Sequence, residues 1–190
     1  MINKPLWSPQ IDGVKKTSIN RFILKINNEY SLDLQTYNDL YVWSINNIES
    51  FWEEIWNFSN IIYSNNYSKV LNHSHILDAE WFKNSKLNYA ENLLKRRDSN
   101  IAIYFFGENE LYSEISFNEL YLNVAKLAFS LRKIGIKKGD RIAAVLPNIP
   151  ETIIAMLAAT SIGAIWSSCS PDFGEKAILD RFLQIKPKLI

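Results

Sequence analysis

LPNIPETIIAMLAATSIGAIWSSCSPDFG, residues 146–174, decides the fold of this chain. Arg141 to Leu146, just before it, is an apolar run with the length of a buried strand. Pro150 suits the first turn of a helix, where its missing N–H is no loss. That helix carries Ile153, Ile154, Met156, Leu157 and Ala158, and Gly163 ends it. Ala164-Ile165-Trp166 reads as a second short strand, and Ser167 to Asp172 as the loop after it. Phe173 to Ile185 has the spacing of an amphipathic helix. Pro187 separates it from Lys188-Leu189-Ile190, the opening of another strand. Such alternation builds a parallel sheet with crossover helices. Parallel strands need covering and pairing, so the chain is expected to be the front part of a larger enzyme, without the residues that do its chemistry.

The alternation extends upstream to Asn100. Ile101 to Phe106 is β-rich, Gly107-Glu108-Asn109 is a turn, and Leu111 to Ile115 is a second strand, together a hairpin. Ser116 and Glu119 form a capping box ahead of a helix through Leu120, Val124, Leu127, Ala128 and Leu131, which Gly135 ends. Lys137 to Asp140 is a turn. Ligands in such folds sit at the carboxyl ends of the strands, so the loops at Pro147-Asn148 and Ser167 to Gly174 are the candidate positions.

Residues 1–94 have another texture. They hold five of the six Trp and read mostly helical. Thr17-Ser18 precede Ile19, Phe22, Ile23 and Ile26, one helix face. Thr36 caps a short helical turn with Tyr37, Leu40 and Tyr41. Asn46 and Glu49 have capping-box spacing ahead of Phe51, Trp52, Ile55, Trp56 and Phe58. At helical spacing these aromatics are read as core or a seam between domains rather than a ligand platform. Asn60 to His75 is polar and irregular, and Asn88 with Glu91 repeats the cap pattern before Leu93 and Leu94.

Of the 190 residues, 47% are hydrophobic and 22% charged, with a formal net charge of +1, the profile of a soluble globular protein. No basic excess points to nucleic acid or an anionic membrane. The longest basic cluster, Lys95-Arg96-Arg97, is read as the charged end of the Asn88 helix. One cysteine, Cys169, excludes an intramolecular disulfide and a multi-cysteine metal site, and suits the reducing cytoplasm. Met1 to Gln10 has no apolar signal segment, and Thr152 to Trp166 is too short to span a bilayer.

Lys138-Gly-Asp-Arg-Ile-Ala-Ala-Val-Leu-Pro-Asn148 resembles an early core segment of the acyl-adenylate-forming, AMP-binding ligases. Pro5-Leu6-Trp7, Trp43-Ser44 leading to Phe51-Trp52, Leu87 to Leu94, and above all Pro147 to Gly174 resemble the acetoacetyl-CoA synthetase family within them. The resemblance covers essentially the whole chain. It implies an α/β fold: a mostly helical, acetyl-CoA-synthetase-type N-terminal extension (1–98), then the opening strand-helix units of the large AMP-binding domain (99–190), incomplete. It implies an ATP-dependent ligase that joins acetoacetate to CoA through an acyl-adenylate, with Mg²⁺ accompanying the ATP. It also implies that Ser167, Ser168, Ser170, Asp172, Phe173 and Gly174 lie near the path of the CoA pantetheine arm. The family's phosphate loop, a Ser/Thr/Gly-rich run ending in Gly-x-x-Lys, is absent from these residues. No catalytic, metal-binding or tightly held nucleotide site is therefore expected in the 190 residues alone, and they are expected to be inactive.

Simpler roles stand beside these. Ser170 and Asp172 are favoured helix caps. Glu151 stabilises a helix start without catalysis. Cys169, with no His near in sequence, reads as a small buried thiol. His73 and His75 have the spacing of a metal pinch on a strand, but lie in a polar loop and read as solvated. Two other functions remain open: a non-catalytic interaction module derived from such a ligase, and another short-chain ligase acting on acetate or propionate. An independent doubly wound nucleotide-binding domain is disfavoured, since Gly-x-Gly-x-x-Gly and Walker patterns are missing.

Overall fold

The computed structural model describes residues 6–72, 75–108 and 111–190. Pro5, His73 and Asn109 of the readings above lie outside the described residues. The chain divides into two compact units: residues 1–61 with 65–85, and residues 62–64 with 86–190.

The first unit holds α1 (Ile11–Lys15), α2 (Ser18–Tyr30), α3 (Tyr37–Asn46), α4 (Ile48–Phe58), β1 (Lys69–Leu71) and β2 (Trp81–Lys83). Thr17 caps α2 by accepting from the Asn20 N–H at 3.2 Å. The helix then buries the expected Phe22, Ile23 and Ile26. Thr36 and Asp39 form a reciprocal capping box on α3, a full ten-residue helix rather than a short turn. The Asn46–Glu49 box does not form. Asn46 is still inside α3 and its amide donates to the Val42 carbonyl at 2.9 Å, so the chain turns at Asn47 instead.

Trp43, Phe51, Trp56 and Phe58 are core, as their spacing indicated, while Trp52 is 40% exposed. Phe22 meets Phe58 and Phe51 edge-on at 5.1 and 5.9 Å, and Trp43 and Ile55 pack against the same cluster. Trp56 lies against Phe82 at 4.6 Å. Phe82 holds a φ of 47°, strained for a bulky residue, and its ring contacts with Trp56 and Tyr67 fix it there. Buried Glu54 pairs with Lys25 and accepts from the Tyr30 hydroxyl at 3.5 Å. Burial raises the Tyr30 pKa, and the Glu54 charge adds to it. The polar stretch after Asn60 contains β1, which pairs antiparallel with β2. Three-residue strands carry too little alternation to be read in advance.

The second unit holds α5 (Tyr89–Leu93), β3 (Ile101–Phe106), β4 (Tyr112–Ser116), α6 (Phe117–Lys133), β5 (Arg141–Val145), α7 (Pro150–Ser161), β6 (Ile165–Cys169), a 3-10 turn (Pro171–Phe173) and α8 (Gly174–Ile185). Residues 62–64 join it because Ile62 and Asn92 exchange two hydrogen bonds, at 2.8 and 2.9 Å. β3 and β4 form the expected antiparallel hairpin. Ser116 and Glu119 form the expected capping box, which lowers the Glu119 pKa. β5 and β6 pair in parallel, with Ala143 opposite Ser167 and Val145 opposite Cys169.

Residues 188–190 approach the other edge of β5. The Ala143 N–H donates to the Leu189 carbonyl at 2.9 Å, and the Lys188 N–H to the Arg141 carbonyl at 2.8 Å. β5 therefore lies between β6 and the Leu189 segment. The two connections run in opposite directions across the sheet, and crossovers of one hand must then pass on opposite faces. The packing shows this. Ile142 and Trp166 face a core with α6 and α7, whereas Ala143 and Cys169 face Phe182 of α8.

Lys95-Arg96-Arg97 does not end a helix, because α5 stops at Leu93. Arg96 stacks 4.3 Å over Phe117 and Arg97 3.8 Å over Tyr121. Flat guanidinium groups favour aromatic faces. Arg96 also donates to Asp98 at 2.6 Å and holds that carboxyl at about 2.

Candidate functional site

The carboxyl ends of β5 and β6 lie side by side, and the backbone pairing runs one step further, from the Leu146 N–H to the Cys169 carbonyl at 3.1 Å. Beyond it the chain leaves β5 toward the α7 face and β6 toward the α8 face. Strand ends that part in this way open a crevice, the usual ligand position in open α/β sheets. Its walls are Pro147-Asn148-Ile149 on one side and Ser170 to Gly174 on the other.

The first wall is held locally. The Thr152 hydroxyl donates to the Pro147 carbonyl at 2.8 Å, and the Ile149 N–H donates to the same carbonyl at 2.9 Å. Pro150 takes the first position of α7, as expected, and Glu151 lies exposed in its first turn. An open cleft of about 650 Å³ separates this wall from the hairpin residues Phe105, Phe106, Gly107 and Glu108.

The second wall differs from its sequence reading. Ser167, Ser168 and Cys169 are not in a loop but in β6, paired with Ala143, Ala144 and Val145. Small side chains on both strands let the pairing continue past Trp166. Strand alternation then sends Ser167 and Ser168 to opposite faces, so the three hydroxyls of the stretch do not share one rim. Ser170 and Asp172 do come together. The Ser170 hydroxyl accepts from the Asp172 N–H at 3.3 Å and donates to the Asp172 carboxylate at 2.8 Å. Ser170 thus caps the 3-10 turn, whereas α8 has Phe173 at its N-cap and no side-chain cap, so Asp172 does not take the helix-capping role read for it. Gly174, at a φ of 70°, makes the left-handed step into α8.

Phe173 is exposed beside Gly174, and the Arg181 guanidinium lies 4.7 Å over its ring. Phe173, Gly174, Lys176, Ala177 and Arg181 border a second open cleft of about 510 Å³. Arg181 escaped the sequence reading, although two helical turns put it on the same side of α8 as Phe173. Cys169 is buried, as read.

His75 is exposed, 3.5 Å from Asp78. Among the described residues, no three of His, Cys, Asp and Glu are grouped to hold a metal ion. No described helix is long and apolar enough to cross a membrane.

Residues 90–190 match the family of AMP-binding enzymes, and residues 37–93 match the acetyl-coenzyme A synthetase N-terminus. The chain is similar to acetoacetyl-CoA synthetase of Xenopus tropicalis, 50% identical over 98% of this chain and 28% of that protein. It is similar to acetoacetyl-coenzyme A synthetase of Rhizobium meliloti (strain 1021), 40% identical over 98% of this chain and 29% of that protein. The solved acetoacetyl-CoA synthetase of Streptomyces lividans superposes with a TM-score of 0.88 at 34% identity, over 98% of this chain and 30% of that one. The chain thus spans under a third of the length of these relatives.

Proposed function

The chain belongs to the AMP-binding enzymes, and we propose that it supplies the N-terminal part of an acetoacetate–CoA ligase. In that reaction an acetoacetate oxygen attacks the α-phosphorus of ATP and pyrophosphate leaves. The CoA sulfur then attacks the acyl carbon, the thioester forms, and AMP leaves. The 50% identity to an acetoacetyl-CoA synthetase over 98% of the chain carries this reading.

Within it, residues 1–98 are the N-terminal extension and residues 99–190 the start of the AMP-binding domain. This is a division by family origin, and the matched spans, which meet near residues 90–93, support it. We assign the CoA arm to the wall Ser170, Asp172, Phe173 and Gly174, with Ser167 and Ser168 of β6 beneath it. The crevice at the strand ends supports that placement, and the open cleft along Phe173 and Gly174 gives an extended chain room. ATP, Mg²⁺, CoA and acetoacetate are the small molecules of the reaction, in a cytoplasmic setting.

The test joins these 190 residues to the remaining part of the Xenopus tropicalis synthetase, replacing its matched portion. Acetoacetate-dependent pyrophosphate release and acetoacetyl-CoA formation are expected from the chimera. The 190 residues alone should release none, since they lack the phosphate loop. A chimera that is folded but turns over acetate or propionate in preference to acetoacetate overturns the substrate assignment.

A further inference from the structure

Residues 95–100, Lys-Arg-Arg-Asp-Ser-Asn, lie between α5 and β3, outside any helix or strand, and all six are exposed. The two guanidinium groups are held flat against α6, Arg96 4.3 Å over Phe117 and Arg97 3.8 Å over Tyr121. Asp98 accepts from the Arg96 Nε–H at 2.6 Å, and from the Asn100 N–H and side-chain amide at 2.9 and 2.8 Å. The Asp98 and Asn100 carbonyls accept from the Asn118 and Phe117 N–H groups at 3.1 and 3.0 Å. The backbone on either side of Ser99 is thus tied to the start of α6, and Ser99 itself sits exposed at the bend. Among the described residues, no carboxylate pairs with Arg97 and no hydrogen bond holds the Ser99 hydroxyl.

A serine with arginines two and three places before it, on an exposed irregular segment, has the charge pattern that a kinase with paired carboxylates in its peptide groove selects. We propose that Ser99 is a phosphorylation site for such an arginine-directed protein kinase, and that Arg97 and Arg96 hold the phosphate once it is made. In the step, the Ser99 oxygen attacks the γ-phosphorus of ATP and the bond to the β,γ-bridging oxygen breaks. ADP leaves, and the hydroxyl proton passes to the kinase's carboxylate base. The phosphate adds about two negative charges. The Ser99 and Arg97 Cα atoms are at most about 7 Å apart, within reach of an arginine side chain. The planar fork of Arg97 matches a phosphate bidentately, and Asp98 gives up part of its hold on Arg96.

The chain contains its own comparison. Lys15-Lys16 precede Thr17-Ser18 with similar spacing. There the Thr17 hydroxyl donates to the Val14 carbonyl at 2.7 Å and caps α2, and the Ser18 hydroxyl, inside that helix, accepts from Arg21 at 3.0 Å. Drawing Ser18 into a kinase groove unwinds the first turn of α2. Drawing out Ser99 opens two backbone hydrogen bonds and two exposed ring contacts, and unwinds no helix.

The experiment incubates the 190-residue chain with ATP and the catalytic domain of a protein kinase that selects Arg-Arg-x-Ser. A gain of one phosphate by mass is expected, located on Ser99 by peptide mapping, and Ser99→Ala should take up none. Arg96→Gln and Arg97→Gln should each slow uptake at least about tenfold, as loss of one partner of a hydrogen-bonded charge pair does. Arg97→Lys should slow it less. These rates stay readable even if a variant loses stability, because the kinase reads an extended segment. Phosphorus NMR then follows the second ionisation of the phosphoserine. Guanidinium contacts favour the dianion, so this ionisation should lie lower in the folded chain than in the same chain in urea, and Arg97→Gln should remove the difference. No phosphate, or phosphate on Ser18 or another residue in place of Ser99, overturns the site. So does uptake at Ser99 that is indifferent to both arginines. An ionisation unchanged on unfolding overturns the assignment of Arg97 and Arg96 as the groups that hold the phosphate.

Discussion

Asn88 joins α5 to the end of α7. Its side-chain oxygen accepts from the Glu91 N–H at 3.0 Å, while its side-chain nitrogen donates to the Thr160 carbonyl at 2.9 Å. One amide thus caps one helix start and satisfies a carbonyl at another helix end. Asn88→Ala should cost about 1–2 kcal/mol, from the lost cap and one lost hydrogen bond to a carbonyl that keeps the Gly163 N–H as a partner. Asn88→Ser keeps a cap and loses the clamp, so it should fall between. Urea unfolding of the three proteins measures the order.

Gly163 follows α7 with a φ of 77°, and an added Cβ there meets the Lys138 side chain at 2.9 Å. The lysine stem can move aside, but the backbone angle cannot change without moving β6, since the Gly139 N–H donates to the Gly163 carbonyl at 2.9 Å. Gly163→Ala should destabilise by about 1–2 kcal/mol, and Gly163→Val by more. The thermal midpoint reads the loss.

Asp140 ties down the Leu189 segment. Lys188 donates to its carboxylate at 2.6 Å and to the Gly135 carbonyl at 2.9 Å. The Lys188 hydrogen bond, with the Lys137 N–H second, holds the Asp140 pKa below its ordinary value. A carboxyl depressed on folding contributes stability that is complete above its unfolded value, about 3.9, and lost as pH falls through the folded one. Exchange of the Ala143 amide, corrected for intrinsic rate, should therefore accelerate below about pH 4. Asp140→Asn should exchange faster at neutral pH and lose that dependence.

Ile26 is fully buried in the first unit and touches the Phe22 and Leu40 cluster. Ile26→Ala should cost about 2–5 kcal/mol, from lost transfer energy and the cavity left behind. Ile19 is exposed on the same helix, and Ile19→Ala should stay within about 0.5 kcal/mol. Chemical denaturation of both separates burial from helix propensity.

Local rules and spacing made most of the second unit legible. Ser116 with Glu119 needs only a four-residue pattern, and Pro150 only a fixed φ. The errors have equally local causes. Asn46 has cap spacing, but the helix before it had not ended, so its amide bonded backward. Ser167 and Ser168 look like loop residues by type, yet the small residues of β5 opposite them allow strand pairing to continue. What stayed hidden is long-range. The Thr160 carbonyl that Asn88 serves lies 72 residues away. Arg96 and Arg97 look like helix-end charges until Phe117 and Tyr121 are folded beneath them.

The Leu189 segment docks beside β5, not beside the later β6. On a ribosome, β5 emerges first and then waits with one margin unfilled while α7, β6 and α8 are synthesised. During that interval its N–H and C=O groups are a template for any passing extended peptide. The nascent chain therefore carries an unpaired β5 edge until the Leu189 segment leaves the exit tunnel.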